Sequence, residues 1–69
     1  MNDLYDVWFY LYDSPSDKRL MSGSLPAYEL ISLVNNNYSI GCKTVEEAIK
    51  FLEELDNDNG YFIICAHSN

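Results

Sequence analysis

Sixty-nine residues, 48% of them apolar and 14% aromatic, carry a formal net charge of −7. They read as one domain, residues 1–69, too apolar for a disordered acidic tail and too negative to bind a phosphate backbone or an anionic membrane directly. A chain this short buries only about 60% of the surface its unfolded form exposes, so its core is marginal without a partner or a staple.

Eleven Asp and Glu against four Lys and Arg favour a basic partner; the bland alternative is that the acidity only keeps the chain soluble. The start, MNDLYDVW, lacks the basic and apolar regions of a secretion signal, and no apolar run approaches the roughly 18 residues of a membrane span. A reduced, cytoplasmic setting is expected. Cys42 and Cys65 then read as buried free thiols on apolar strands, with a single disulfide as the alternative.

Residues 5–13 (YDVWFYLYD) are dense in aromatic and β-branched side chains and run into Ser14-Pro15-Ser16-Asp17, which predicts a strand entering a hairpin. Residues 18–24 form the expected return strand, anchored by Leu20 and placed at an edge where Lys18 and Arg19 deter further pairing. Ser24 is the expected cap of a first helix with Pro26 in its first turn; Tyr28, Ile31 and Val34 then recur at helical spacing, and Asn35-Asn36-Asn37 end it. Residues 38–42 (YSIGC) predict a third strand, weakened by Gly41. Thr44-Val45-Glu46-Glu47 is a capping box that opens a second helix, with Val45, Ala48, Ile49, Leu52 and Leu55 as its apolar stripe. Asn57-Asp58-Asn59-Gly60 is expected to stop it with residues that tolerate left-handed geometry, and residues 61–66 (YFIICA) form the last strand.

The expected fold class is α+β, in the order ββαβαβ: about four mainly antiparallel strands with two helices packed on one face. Alternation sends Val7, Phe9 and Leu11 to one side of the first strand and Trp8, Tyr10 and Tyr12 to the other, and both sides are apolar. Two helices cover one face. The other is expected to hold Trp8, Tyr10, Tyr12, Phe62 and Ile64 as a surface for self-association or partner binding, unless the hairpin curls or a helix crosses over to bury it.

Cys65, His67 and Cys42 are the residue types of a thiol nucleophile with its base, or of zinc ligands. Their spacing supports neither, since no acidic residue near in sequence orients the imidazole and no fourth ligand is evident. The three glycines are isolated, which excludes a phosphate-cradling loop, and Glu46, Glu47, Glu53 and Glu54 fall on a helical face outside any cleft. No catalytic residue, no metal site and no cofactor is expected, and the chain reads as a non-enzyme.

Six acids, Glu46, Glu47, Glu53, Glu54, Asp56 and Asp58, fall on the second helix and its exit, with Lys50 alone among them. Glu46 and Glu47 complement the helix dipole. Glu53, Glu54 and Asp56 oppose it, at a cost of roughly a few tenths of a kcal/mol each, so local stability does not account for them. Carboxylates three or four apart on a helix recur on a scale close to that of DNA phosphates, at roughly 5 to 6 Å against about 3.4 Å of rise. A DNA-mimicking face and a merely solvated one both fit this pattern.

Tyr5-Asp6-Val7, Leu11 and Asp13, Ser24-Leu25, and Tyr28-Glu29 followed by an aliphatic pair resemble the opening of the small dimeric inhibitors of uracil-DNA glycosylase carried by some Bacillus phages; Thr44, Glu47, Ile49 and Lys50 echo a later segment. The resemblance implies a phage product acting in the host cytoplasm, which dimerises through its sheet and imitates DNA in the enzyme's groove. It further implies that Tyr28 and Glu29 help form the enzyme-binding site. A broader class, small acidic antirestriction and anti-CRISPR proteins, shares the charge and size. The expected function is therefore an inhibitor that binds the basic groove of a host DNA- or RNA-binding protein, using Tyr28, Glu29, Glu46, Glu53, Glu54, Asp56 and Asp58. A self-associating structural or regulatory module is the alternative.

Overall fold

The strand-forming alternation at the two ends of the chain and the helical periodicity between them give five elements. A computed structural model describes residues 3–55 and 57–68. The elements are β1 (Asp3–Leu11), β2 (Arg19–Pro26), α1 (Ala27–Tyr38), α2 (Val45–Glu54) and β3 (Gly60–Ser68). Both pairings are antiparallel and the sheet runs β2-β1-β3, so β1, the strand richest in aromatic residues, is central.

The fold is α+β with three strands, and the fourth strand expected at residues 38–42 is absent. Tyr38 is instead the last residue of α1, and Ser39 turns the chain in left-handed geometry (φ 55°). The side chain of Asn35 explains why. Its Oδ1 accepts from the Cys42 amide at 2.8 Å and its Nδ2 donates to the Cys42 carbonyl at 3.1 Å, the two groups a neighbouring strand would have taken. Ile40 and Cys42 still pack against the core, so the apolar pattern of this segment reflects a buried connection between helices and not a strand.

Three smaller expectations also change. Ser24 does not cap α1; it lies within β2 at φ 54°, and Pro26 occupies the cap position without a side-chain hydrogen bond. The second helix ends at Glu54, with Leu55 already extended, ahead of the Asn-Asp-Asn-Gly run. Gly60 opens β3 with no left-handed φ; it is required for space, because a Cβ there would meet the Tyr10 carbonyl and lie 2.8 Å from the Phe9 ring. The Thr44 cap holds, its hydroxyl accepting from the Glu47 amide at 3.2 Å.

Both helices lie on one face of the sheet. Leu30 with Val34, and Ala48 with Leu52, are one helical turn apart and fully buried, and they meet Tyr5 and Val7 of β1. Tyr38 and Phe51 close the helix pair with ring centroids 5.1 Å apart.

Candidate functional site

Alternation along β1 sends Trp8 and Tyr10 away from the helices, to a face that no described element covers, where their strand neighbours leave both half-buried. The register sets Trp8 opposite Ile63 on one side and Leu20 on the other, and Tyr10 opposite Tyr61. Tyr10 and Tyr61 stack at 5.5 Å with planes 10° apart, and Tyr12, 53% exposed, leans on Tyr61 at 5.6 Å. Lys18 folds from the hairpin over this cluster, its Nζ 4.7 Å from the centre of the Trp8 ring and 5.8 Å from that of Tyr10. A cation over an electron-rich ring face is attracted to it, so Lys18, expected to guard the edge, lies just ahead of β2 and packs over the open face.

Phe62 and Ile64 do not belong to that surface. They pair directly with Phe9 and Val7 and pack against the core beneath the helices. Directly paired residues of an antiparallel ladder share a face, and this register joins odd positions of β1 to even positions of β3. The sequence shows the alternation within each strand but not the parity between strands. Tyr61, Ile63 and Leu20 take their places.

The other end of the open face is polar. Oδ1 of Asp6 accepts from the Ser24 amide at 2.8 Å and lies 3.3 Å from Nε2 of His67, so one carboxylate ties all three strands together. The Ser24 amide holds the Asp6 carboxyl below its ordinary range; partial desolvation opposes this, and the His67 ring adds to it. Two register breaks in β2 flank Ser22, and the first sets Gly23 and Ser24 opposite Asp6. A side chain at Gly23 would crowd Leu20 at 3.2 Å and approach Asp6 Oδ1 at 3.5 Å.

Serine, histidine and aspartate thus converge, but Ser24 takes part through its backbone amide, and the arrangement is a structural tie. The partner for His67 was invisible to local reasoning because Asp6 is 61 positions away. Cys65 is exposed across from Asp6, Cys42 is half-buried in the helix connection, and both are free, so neither is the buried strand thiol expected.

The acids predicted to bind a partner lie in the helical layer and its exit. Glu46, Glu47, Glu53 and Glu54 are exposed on α2, and Asp58 is exposed in the following turn; Asp56 lies outside the described residues. Tyr28, 68% exposed, sets its hydroxyl 3.5 Å from Glu29 Oε1 at the start of α1. Among the described residues the one ion-pair geometry is His67 with Asp6, so no α2 glutamate is in ion-pair contact with a described cation, and Lys50, one turn from Glu46 and Glu54, is the single cation on that helix. Glu53 has a further contact: its Oε2 accepts from the Ile64 amide at 3.3 Å.

No family model, curated protein or solved structure matches the chain. No described helix is long and apolar enough to cross a membrane.

Proposed function

We propose that the chain is a small, non-enzymatic inhibitor that occupies the basic groove of a nucleic-acid-acting host protein. The observation that carries this reading is the two pairs of exposed glutamates, one at each end of α2, none in ion-pair contact with a described cation, on the opposite layer from the aromatic face. Uncompensated carboxylates gain most where a partner supplies a ready-made positive groove, because steering and electrostatic complementarity then act together. The resemblance to phage inhibitors of uracil-DNA glycosylase, through Tyr28 and Glu29 in particular, points to the same partner class.

The test is retention of a DNA- or RNA-acting protein from bacterial lysate, followed by titration of the purified pair. Affinity should fall steeply with salt, and changing Glu46, Glu47 and Glu54 together to Gln should weaken it at least about tenfold without unfolding the domain. Affinity that survived this change would overturn the reading. Glu53 is left in place because of its contact with Ile64.

A second reading has its own observation. Tyr10, Tyr12 and Tyr61 form an aromatic cluster that Lys18 joins to Trp8 on the side away from the helices, which suits a self-associating assembly module. A dimer that ignores every nucleic-acid-acting protein offered would favour it.

A further inference from the structure

The two edges of the sheet differ in a way that concerns Glu53. β2 forms one edge and is broken by two register shifts, and irregular edges of this kind resist strand addition. β3 forms the other. It pairs with β1 over all nine residues without a break, and its sequence, GYFIICAHS, contains no Asp, Glu, Lys or Arg. A regular, uncharged, β-prone edge of this length is the kind that recruits another strand.

In an antiparallel strand the amide and carbonyl of one residue point to the same side, and the side alternates. The Ile64 amide points away from β1, toward Glu53, so the outward set is Phe62, Ile64 and Ala66. Ile64 is also the middle residue of Gly60–Ser68. Two copies pairing antiparallel through this edge overlap over the whole of β3 when the two-fold axis falls at Ile64. The Glu53 carboxylate sits where the partner strand's carbonyl would go.

We infer that the outer edge of β3 is a latent docking site for β3 of a second copy, held closed by Glu53. This goes beyond the inhibitor reading. It supplies a tertiary reason for a glutamate in the last turn of α2, where the helix dipole disfavours it: its side-chain oxygen satisfies an edge amide and occupies the place of an approaching strand's carbonyl.

The test compares Glu53→Ala with Glu54→Ala and Glu53→Gln, each in a Trp8→Ser, Tyr10→Ser background so that the aromatic face does not contribute. In dilute solution, exchange of the Ile64 amide followed by NMR should be about tenfold faster in Glu53→Ala than in Glu54→Ala, through loss of one charge-assisted hydrogen bond. On raising the concentration, Glu53→Ala alone should sediment as a larger species and regain protection at Ile64. Glu53→Gln, which keeps an oxygen acceptor, should stay with Glu54→Ala. Glu53→Ala and Glu54→Ala indistinguishable in exchange and in sedimentation would overturn the inference. No other macromolecule enters the measurement, so its outcome is separate from that of the inhibitor reading.

Discussion

The central strand β1 shows two ways of dealing with apolar surface on its two sides. Toward the helices, Tyr5 and Val7 are 9% and 3% exposed because α1 and α2 lay Leu30, Val34, Ala48 and Leu52 over them. Toward the open side, Trp8 and Tyr10 are sheltered only by Tyr61, Ile63, Leu20 and the Lys18 side chain. The first arrangement excludes water by closing one layer on another and supplies cohesion. The second leaves large aromatic side chains with their polar ends available, the character of a binding surface. Two faces of one strand thus divide into a side closed by the helices and a side left open.

The division is broken most directly from the covered side. Leu30→Ala removes a fully buried side chain, and truncations of this kind cost about 2 to 5 kcal/mol. In a domain this small that is a large part of the total stability, so urea denaturation should show a collapsed midpoint or an unfolded chain. The open face should respond differently. Trp8→Ser with Tyr10→Ser loses the Tyr10–Tyr61 stack, worth about 0.5 to 1.5 kcal/mol, and the Lys18 contact, worth about 0.5 to 1 kcal/mol, both in addition to the apolar area that the two half-buried rings give up. The double variant should remain folded by circular dichroism while any self-association seen by sedimentation disappears. A double variant as unstable as Leu30→Ala would mean that the open face is part of the core.

The smallest of these effects belongs to Asp6 and is read through pH. Its carboxyl is held below the ordinary value of 3.8 by the Ser24 amide and His67. The stabilisation it provides is therefore present above about that pH, and is lost as pH falls through the lower value of the folded state. Asp6→Ala should be less stable than the parent at neutral pH and lose less on acidification, so that the two stability curves converge toward acid. Parallel curves would show that Asp6 ties the strands without its charge.

Legibility followed the range of the interactions. The Thr44 cap, the two amphipathic helices, the hairpin and the edge position of its return strand depend on neighbours a few residues apart, and all could be read locally. The segment around Ile40 and Cys42 has the pattern of a strand but forms none, because a clasp from Asn35, itself in a helix, takes the hydrogen bonds a strand needs. Ser24 looked like a helix cap because serine favours caps, but Asp6 claimed its amide from another strand. The pairing of Asp6 with His67, and the contact of Glu53 with Ile64, carry no local signal.

What the sequence determined by itself was the inventory: an acidic chain of α+β type, two helices with one apolar stripe each, a first strand apolar on both sides, and glutamates set against a helix dipole. Tertiary structure alone decided which residues share a face. A strand's alternation is intrinsic to its backbone, but the register between strands is chosen by the packing of the whole sheet, and one step of parity exchanges Phe62 and Ile64 for Tyr61 and Ile63. It also decided that Glu53 faces an edge amide, because that contact exists only once α2 has packed beside β3.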